Sequence, residues 1–329
     1  MSTPVAGKFG MVFPGQGSQH VGMLAELAAS FDIVQDTFRE ASAVLGYDLW
    51  QMAQTGPAEQ LALTHITQPL LLTGSVAIWR VWLQKKGSQP VLMAGHSLGE
   101  YSALVCAGAL EFADAVSLVR QRGELMQSAV PVGTGTMAAI LGLDDAVVVK
   151  CCAAACNQDI VTAANYNSPG QVVIAGHVAA VERAVALCKE AGSRRAIPLS
   201  VSAPFHCPLM QPAAVQFAEV LAKIAIKAPQ IPVIQNYGLA ISSDPEQICR
   251  NLVAQIANPV PWVATMNLFA MQQVLQLLEV GPGKVLAGFN KRINPALETI
   301  SLSDPASLAQ ALDHIAALAV SAGTPGNQA

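Results

Sequence analysis

Gly95-His96-Ser97-Leu98-Gly99 is the stretch that decides the fold, because its five residues fit G-x-S-x-G, a nucleophile elbow. The apolar run Val91-Leu92-Met93-Ala94 leads in and reads as a buried strand; Glu100 to Gly108 leads out as a helix. A serine on such a turn stands clear of the sheet with its Oγ exposed. Glycines two residues to either side keep Cβ atoms out of the strained corner. The turn also sets Ser97 at a helix N-terminus, where free N–H groups favour a developing negative charge. A Gly-rich strand-helix connection with an inert hydroxyl has the same letters, so the rest of the chain must supply a base and an oxyanion donor.

Working outward, 52% of the 329 residues are apolar and 12% charged, the composition of a core-rich α/β chain with buried parallel strands. The length allows two domains, or one large domain with an insertion. A net charge of −4 argues against nucleic acid as a partner. Met1 to Gly10 lacks the charged-then-apolar pattern of a signal peptide, and no apolar run reaches membrane-spanning length. With seven cysteines at scattered spacing, the expectation is a cytoplasmic protein with reduced thiols. Cys151, Cys152 and Cys156 lie in an apolar helical run with no nearby histidine and read as packing groups, so no metal site is expected.

Phe9–Phe13 reads as a strand broken by Pro14-Gly15-Gln16-Gly17-Ser18-Gln19, a loop at the edge where α/β sites form, without the lysine motif of a phosphate loop. Helices are expected to about Gly46, over Pro69–Lys85 and over Ala113–Ser128. Between 133 and 200 the order changes to strand Thr134–Leu141, helix Asp144–Cys156, strand Ile160–Ala164, turn Asn165–Gly170, strand Gln171–Ala175, helix His177–Ala191 and strand Arg194–Leu199. That β-α-β-β-α-β order predicts a ferredoxin-like subdomain, 133–200, inserted into an α/β-hydrolase-like domain made of 1–132 and 201–329. The larger domain resumes with the loop Ala203–Pro208, a helix near Leu209–Ile226, strand Ile231–Asn236, helix Pro245–Ile256 and strand Val274–Val280. The last helix is Pro305–Val320, and Gly323–Ala329 reads as a frayed tail.

Of the six histidines, His206 ranks first as the base for Ser97, in a Pro-flanked loop directly after a strand; His96 and His20 follow. His96 adjoins Ser97, so its ring should point elsewhere. A hydrolase triad would place an acid between serine and histidine, and the candidates are Asp114, Asp144, Asp145 and Asp159, each explicable as a cap or surface charge. A Ser-His dyad oriented by a backbone carbonyl is the alternative.

Taken together, Phe13-Pro14-Gly15-Gln16-Gly17-Ser18-Gln19, the Gln68-Pro69 helix start, Gly95–Ser102, Arg122-Gly123, Asn165–Gln171, Pro204-Phe205-His206, Asn258-Pro259-Val260 and Glu279–Gly283 resemble the malonyl-CoA:acyl carrier protein transacylase family, of the bacterial discrete type. The resemblance implies that Ser97 becomes an acyl ester, that His206 is its base and then the acid for the leaving thiol, and that Gln255 orients His206 through its main-chain carbonyl. It implies an oxyanion hole from Gln16 and the N–H of Leu98, and pairing of Arg122 with the free malonyl carboxylate. Asn167, Phe205 and Leu98 would line the acyl site, with Phe205 crowding an α-methyl branch, a selection worth about 1–3 kcal/mol. Pro204-Phe205 stands where many discrete relatives carry Pro-Ser, and Gln235-Asn236-Tyr237 also departs from the family pattern.

The implied reaction is ping-pong transfer: malonyl-CoA is the substrate, CoA the product, and holo-acyl carrier protein the acceptor and partner, with no permanently bound cofactor and a monomeric enzyme. The acidic carrier would need a basic patch, either Lys284, Lys291 and Arg292, or Arg194-Arg195. Two other functions fit the scaffold, a malonyl or acyl thioester hydrolase and a non-catalytic carrier-binding module.

Overall fold

The computed structural model describes residues 8–199, 201 and 203–323. The expected tail lies outside them beyond Gly323. Five parallel strands form the larger sheet, in the order β7-β2-β1-β8-β9: β1 Phe9–Phe13, β2 Leu92–Gly95, β7 Val233–Ile234, β8 Gln276–Glu279 and β9 Glu298–Ser301. Both faces are covered. Met11, Phe13 and Met93 pack into the main core on one side, and Val12, Leu92 and Ala94 pack with Trp262, Met266 and Phe269 on the other. Alternate residues therefore feed two cores, and β1 and β2 read as unbroken apolar runs.

The smaller sheet has four antiparallel strands in the order β4-β5-β3-β6: β3 Gly135–Leu141, β4 Val161–Ser168, β5 Gln171–His177 and β6 Arg195–Pro198. Helices Asp145–Ala155 and Val178–Glu190 cover it and bury Cys151, Cys152 and Cys188 in a separate core. An isolated bridge joins the two parts, with the Tyr166 N–H donating to the Val260 carbonyl and the Val260 N–H to that of Ala164.

Three local expectations need correction, and three elements were not foreseen. The helix placed at Pro69 starts at Thr64 and runs to Gln84. Near a helix start a proline sacrifices one backbone bond, here to the His65 carbonyl, and the buried flanks on both sides outweigh it. Asn165–Gly170 is not a turn: β4 continues to Ser168, and two register shifts along it blur the alternation. The strand expected over Ile231–Asn236 contracts to Val233–Ile234, with Pro232 unable to donate to the ladder. Strand β9 and helices Trp262–Met271 and Val285–Ile293 had no distinct signal; β9 is a half-exposed edge without apolar alternation.

What the fold accomplishes is convergence. The loops after β1, β2 and β7 all open at the carboxyl edge of the parallel sheet, which brings Gln16, Ser97 and Asn236 to one rim. No helix among the described residues is long and apolar enough to cross a membrane.

Candidate active site

The elbow is built by exclusion. A Cβ on Gly95 would fall 1.8 Å from the Gly99 carbonyl carbon, and one on Gly99 would fall 2.0 Å from the Phe13 carbonyl oxygen. Neither position admits a side chain. Ser97 itself has φ 52°, and His206 has φ 59°. Two non-glycine residues held in the left-handed region, each at a cost of order 1–3 kcal/mol, face one another. The Asn236 side chain clamps the turn: its Oδ1 accepts from the Ser97 N–H at 2.8 Å and its Nδ2 donates to the Gly95 carbonyl at 2.7 Å.

His206 is buried, with Nε2 2.7 Å from Ser97 Oγ and Nδ1 3.0 Å from the Gln255 carbonyl. A carbonyl only accepts, so Nδ1 carries the proton and Nε2 is left to receive one from the Ser97 hydroxyl. Both ring partners are thus accounted for without a carboxylate. The four aspartates considered as triad acids are employed elsewhere: Asp144 caps a helix, Asp159 pairs with Arg183, and Asp114 and Asp145 lie in first helical turns. Burial, then the charge of Arg122, drives the His206 pKa down to about 3. The imidazole is therefore a neutral acceptor throughout the physiological range.

Arg122 is not the surface residue its neighbour Arg120 suggests; it is 1% exposed. Its Nη1 donates to Gln68 Oε1 at 2.8 Å. Its Nη2 donates to Gln255 Oε1 at 2.8 Å and to Ser97 Oγ at 3.2 Å, while Nε makes no hydrogen bond to a described residue. Among the described residues no carboxylate touches this guanidinium. A buried cation held by amides, one hydroxyl and the face of the Tyr101 ring 5.1 Å away is under-compensated, and a planar fork of donors aimed at the nucleophile suits an incoming carboxylate.

Around this centre the pocket is lined by Gln16, Leu98, Phe205 and Asn165, with Met137 closing it from the smaller sheet and Leu199 and Val201 from the chain that follows β6. Thr64 donates to Gln16 Oε1 at 3.1 Å, and neither the Gln16 nor the Leu98 N–H donates to a described residue. Asn167, expected in the acyl site, instead accepts from His96 Nε2 at 2.8 Å, which turns that ring away from Ser97; Asn165 is the asparagine that lines the pocket. Sequence reasoning missed Gln68, Glu100 and Asn236. Asn236 had a usable signal, a polar residue closing the expected strand Ile231–Asn236.

Comparison with known proteins settles the family. The acyl transferase domain family matches residues 11–287. A malonyl CoA-acyl carrier protein transacylase of Salmonella typhimurium is 58% identical over 305 residues, 93% of this chain and 99% of that protein. The chain belongs to the malonyl CoA-acyl carrier protein transacylase family. It is accordingly an acyltransferase. Its Bacillus subtilis relative within that transacylase family is 44% identical over 93% of this chain and 96% of its own length. Among solved structures, an acyl carrier protein S-malonyltransferase from Vibrio cholerae superposes with a TM-score of 0.91 at 55% identity, covering 92% of this chain and 99% of that one. A malonyl-transacylase solved in complex with a holo type II PKS acyl-carrier protein gives 0.92, also at 55% identity, over 93% and 99%.

The basic residues expected to dock a carrier regroup. Lys284 lines a separate depression with His20 and Asp304. Arg292 joins Arg194 and Arg195 around another, where it donates to Gln171 Oε1 at 2.7 Å; Lys291 is exposed beside it. The first candidate patch is thus divided: Arg292 joins Arg194 and Arg195, and Lys284 lies apart.

A pH prediction follows from His206. Because its folded pKa lies below the ordinary histidine value, the ring stays unprotonated as the solution is acidified through the range in which a free histidine titrates. The kcat for acyl-enzyme formation is expected to be level from about pH 8 down to about pH 5, measured by rapid quench. An acid limb centred near the free-histidine value would contradict the geometry.

Proposed function

We propose that the protein transfers a malonyl group from malonyl-CoA to the phosphopantetheine thiol of holo-acyl carrier protein, a loading step of fatty acid synthesis, through a malonyl ester on Ser97. The observation that carries the reading is Arg122: a buried guanidinium in direct contact with no carboxylate among the described residues, 3.2 Å from a serine Oγ that is itself 2.7 Å from a neutral histidine. The names of its relatives support the same substrate pair.

In the first half-reaction Ser97 Oγ attacks the thioester carbonyl and its proton passes to His206 Nε2. The imidazolium that forms is held by the Gln255 carbonyl at Nδ1. The N–H groups of Gln16 and Leu98 receive the oxyanion, each worth roughly 3–4 kcal/mol when well placed. The C–S bond then breaks, and His206 returns the proton to the CoA sulfur. The second half-reaction runs the same steps backwards with the carrier's thiol, so no bound cofactor or metal is needed. Arg122 anchors the malonyl carboxylate through both, and Phe205 and Leu98 shape the space beside the acyl carbon.

We further read the chain as a hydrolase-like catalytic unit, 1–132 with 201–329, interrupted by a ferredoxin-like unit, 133–200, and acting as a cytoplasmic monomer. The β4-β5-β3-β6 order supports the second label.

The test is purified protein with radiolabelled malonyl-CoA and holo-carrier. Label on the carrier is expected. Free malonate with an unlabelled carrier would mean a hydrolase, and no labelled serine would mean a binding module. The docking face has its own check. Arg195→Glu with Arg292→Glu is expected to raise the KM for carrier several-fold, more steeply at low salt, while the folded state is kept; an unchanged carrier KM would move docking elsewhere.

A further inference from the structure

Glu100 is left unused by the mechanism above. It opens the elbow helix and is 0% exposed. Its Oε2 accepts from the Asn236 N–H at 2.9 Å and from Gln255 Nε2 at 2.7 Å, while Oε1 is buried and makes no hydrogen bond of normal geometry among the described residues. Burial pushes its pKa up to about 7, against the opposing pull of these donors and of the charge on Arg122. The ionisable groups that bear on it are Arg122, from helix Phe112–Ser128, and Tyr101, beside it on its own helix. From the end of β7 and from helix Pro245–Ala257 the groups that face it are the amides of Gln235, Asn236 and Gln255.

The Gln255 side chain lies between two charges. Its Oε1 accepts from Arg122 Nη2 at 2.8 Å and its Nε2 donates to Glu100 at 2.7 Å. Reversing that amide would set donor against donor and acceptor against acceptor. Arg122, Gln255 and Glu100 therefore form a cation–amide–anion chain of fixed polarity. A second carboxylate arriving at Arg122 would leave two anions around one buried cation, where like charges cannot both persist cheaply.

We propose that Glu100 is an acyl-selecting positioning residue: its carboxylate is the counter-charge to Arg122 in the empty site, relayed through Gln255, and it takes up a proton when an acyl group bearing its own carboxylate binds the guanidinium. This rests on the malonyl-transfer reading above. An acyl group without a carboxylate triggers no such exchange, so Arg122 stays committed to Gln255 and Glu100 stays charged. The sign follows from linkage. Binding that takes up one proton weakens by up to tenfold per pH unit above the ionisation of Glu100, and is independent of pH below it, where the carboxyl is already protonated.

The experiment uses the full chain and radiolabelled malonyl-CoA. The KM for acylation of Ser97 is measured from about pH 6 to about pH 9 for the unmutated protein and for Glu100→Gln. Proton uptake is followed with an indicator in weak buffer near neutral pH, where the released CoA thiol stays protonated. The expected KM climbs with pH in the unmutated protein and is level in Glu100→Gln, with KM changing more than kcat. Proton uptake accompanies labelling and vanishes in the variant. Glu100→Ala, which removes the bonds to both Asn236 and Gln255, is expected to lower kcat at least about tenfold. If Glu100→Gln does not fold, proton uptake and the KM profile of the unmutated protein still decide. Labelled Ser97 with a level KM and no proton uptake overturns the role of Glu100 alone; absence of labelled Ser97 overturns the malonyl reading and this proposal with it.

Discussion

Ser97→Ala is expected to abolish the labelled acyl-enzyme and to lower transfer by roughly 10⁴–10⁶-fold, the scale seen when a nucleophile acting as one unit with its base is removed. The substitution is nearly silent for the fold. The main-chain bond from residue 97 to Asn236 survives, and alanine meets the same left-handed strain as serine. Lost activity in a normally folded variant is therefore the expected pair of results. His206→Ala should fall almost as far, because Oγ then has no acceptor at 2.7 Å. The double variant should be no worse than Ser97→Ala, since the two groups perform one proton transfer. A radiolabelled band persisting in Ser97→Ala, checked by gel and peptide mapping, would sink the assignment of the nucleophile.

Arg122→Ala is the second large effect, and it is one of preference rather than of chemistry. The dyad remains, but the acyl carboxylate loses two charge-assisted hydrogen bonds. At about 1.5–3 kcal/mol each, with part of the loss recovered by water, kcat/KM for malonyl-CoA should drop roughly 10²–10³-fold. Acetyl-CoA makes no use of those donors, so its rate should hold or rise, and the ratio of acetyl to malonyl transfer should invert or approach one. Arg122→Lys should recover little, because an ammonium cannot span both Gln68 and Gln255 while facing a carboxylate edge. A second readout comes free: with the neighbouring positive charge gone, the His206 pKa rises towards its ordinary value. An unchanged acyl ratio in Arg122→Ala would mean that the carboxylate is recognised elsewhere.

How much of this was legible in the sequence depends on whether a residue acts locally. The elbow was, because Gly95 and Gly99 are demanded by contacts within a few residues of Ser97 and with the β1 end next to it. The succession of strands and helices along 133–200 was too, although the blurred alternation of β4 hid where that strand ends. Arg122 was ambiguous: its helix is amphipathic, and only the tertiary packing of helix Thr64–Gln84 against it shows that it points inward. Glu100 looked like an ordinary helix-start carboxylate, and its burial by β7 and by helix Pro245–Ala257 is a contact across more than a hundred residues. The missing triad acid was a puzzle of the same kind, because its substitute is a main-chain carbonyl, and backbone atoms leave no trace in a side-chain pattern. Asn167 failed for a subtler reason. In a strand interrupted by register shifts, counting cannot tell whether residue 165 or residue 167 faces the cavity.

The bridge between Asn165 and Val260 constrains how the molecule can breathe. Val260 follows Gln255 by little more than a helical turn of chain, and its two bonds to Ala164 and Tyr166 fasten the margin of the smaller sheet to that stretch. The smaller sheet is thus no freely swinging flap. Displacement of the smaller sheet on that side would pull on the chain leaving helix Pro245–Ala257, whose Gln255 carbonyl aligns the imidazole. One side wall of the pocket and the carbonyl that orients the imidazole thus hang on a single short tether of chain, residues 255 to 260.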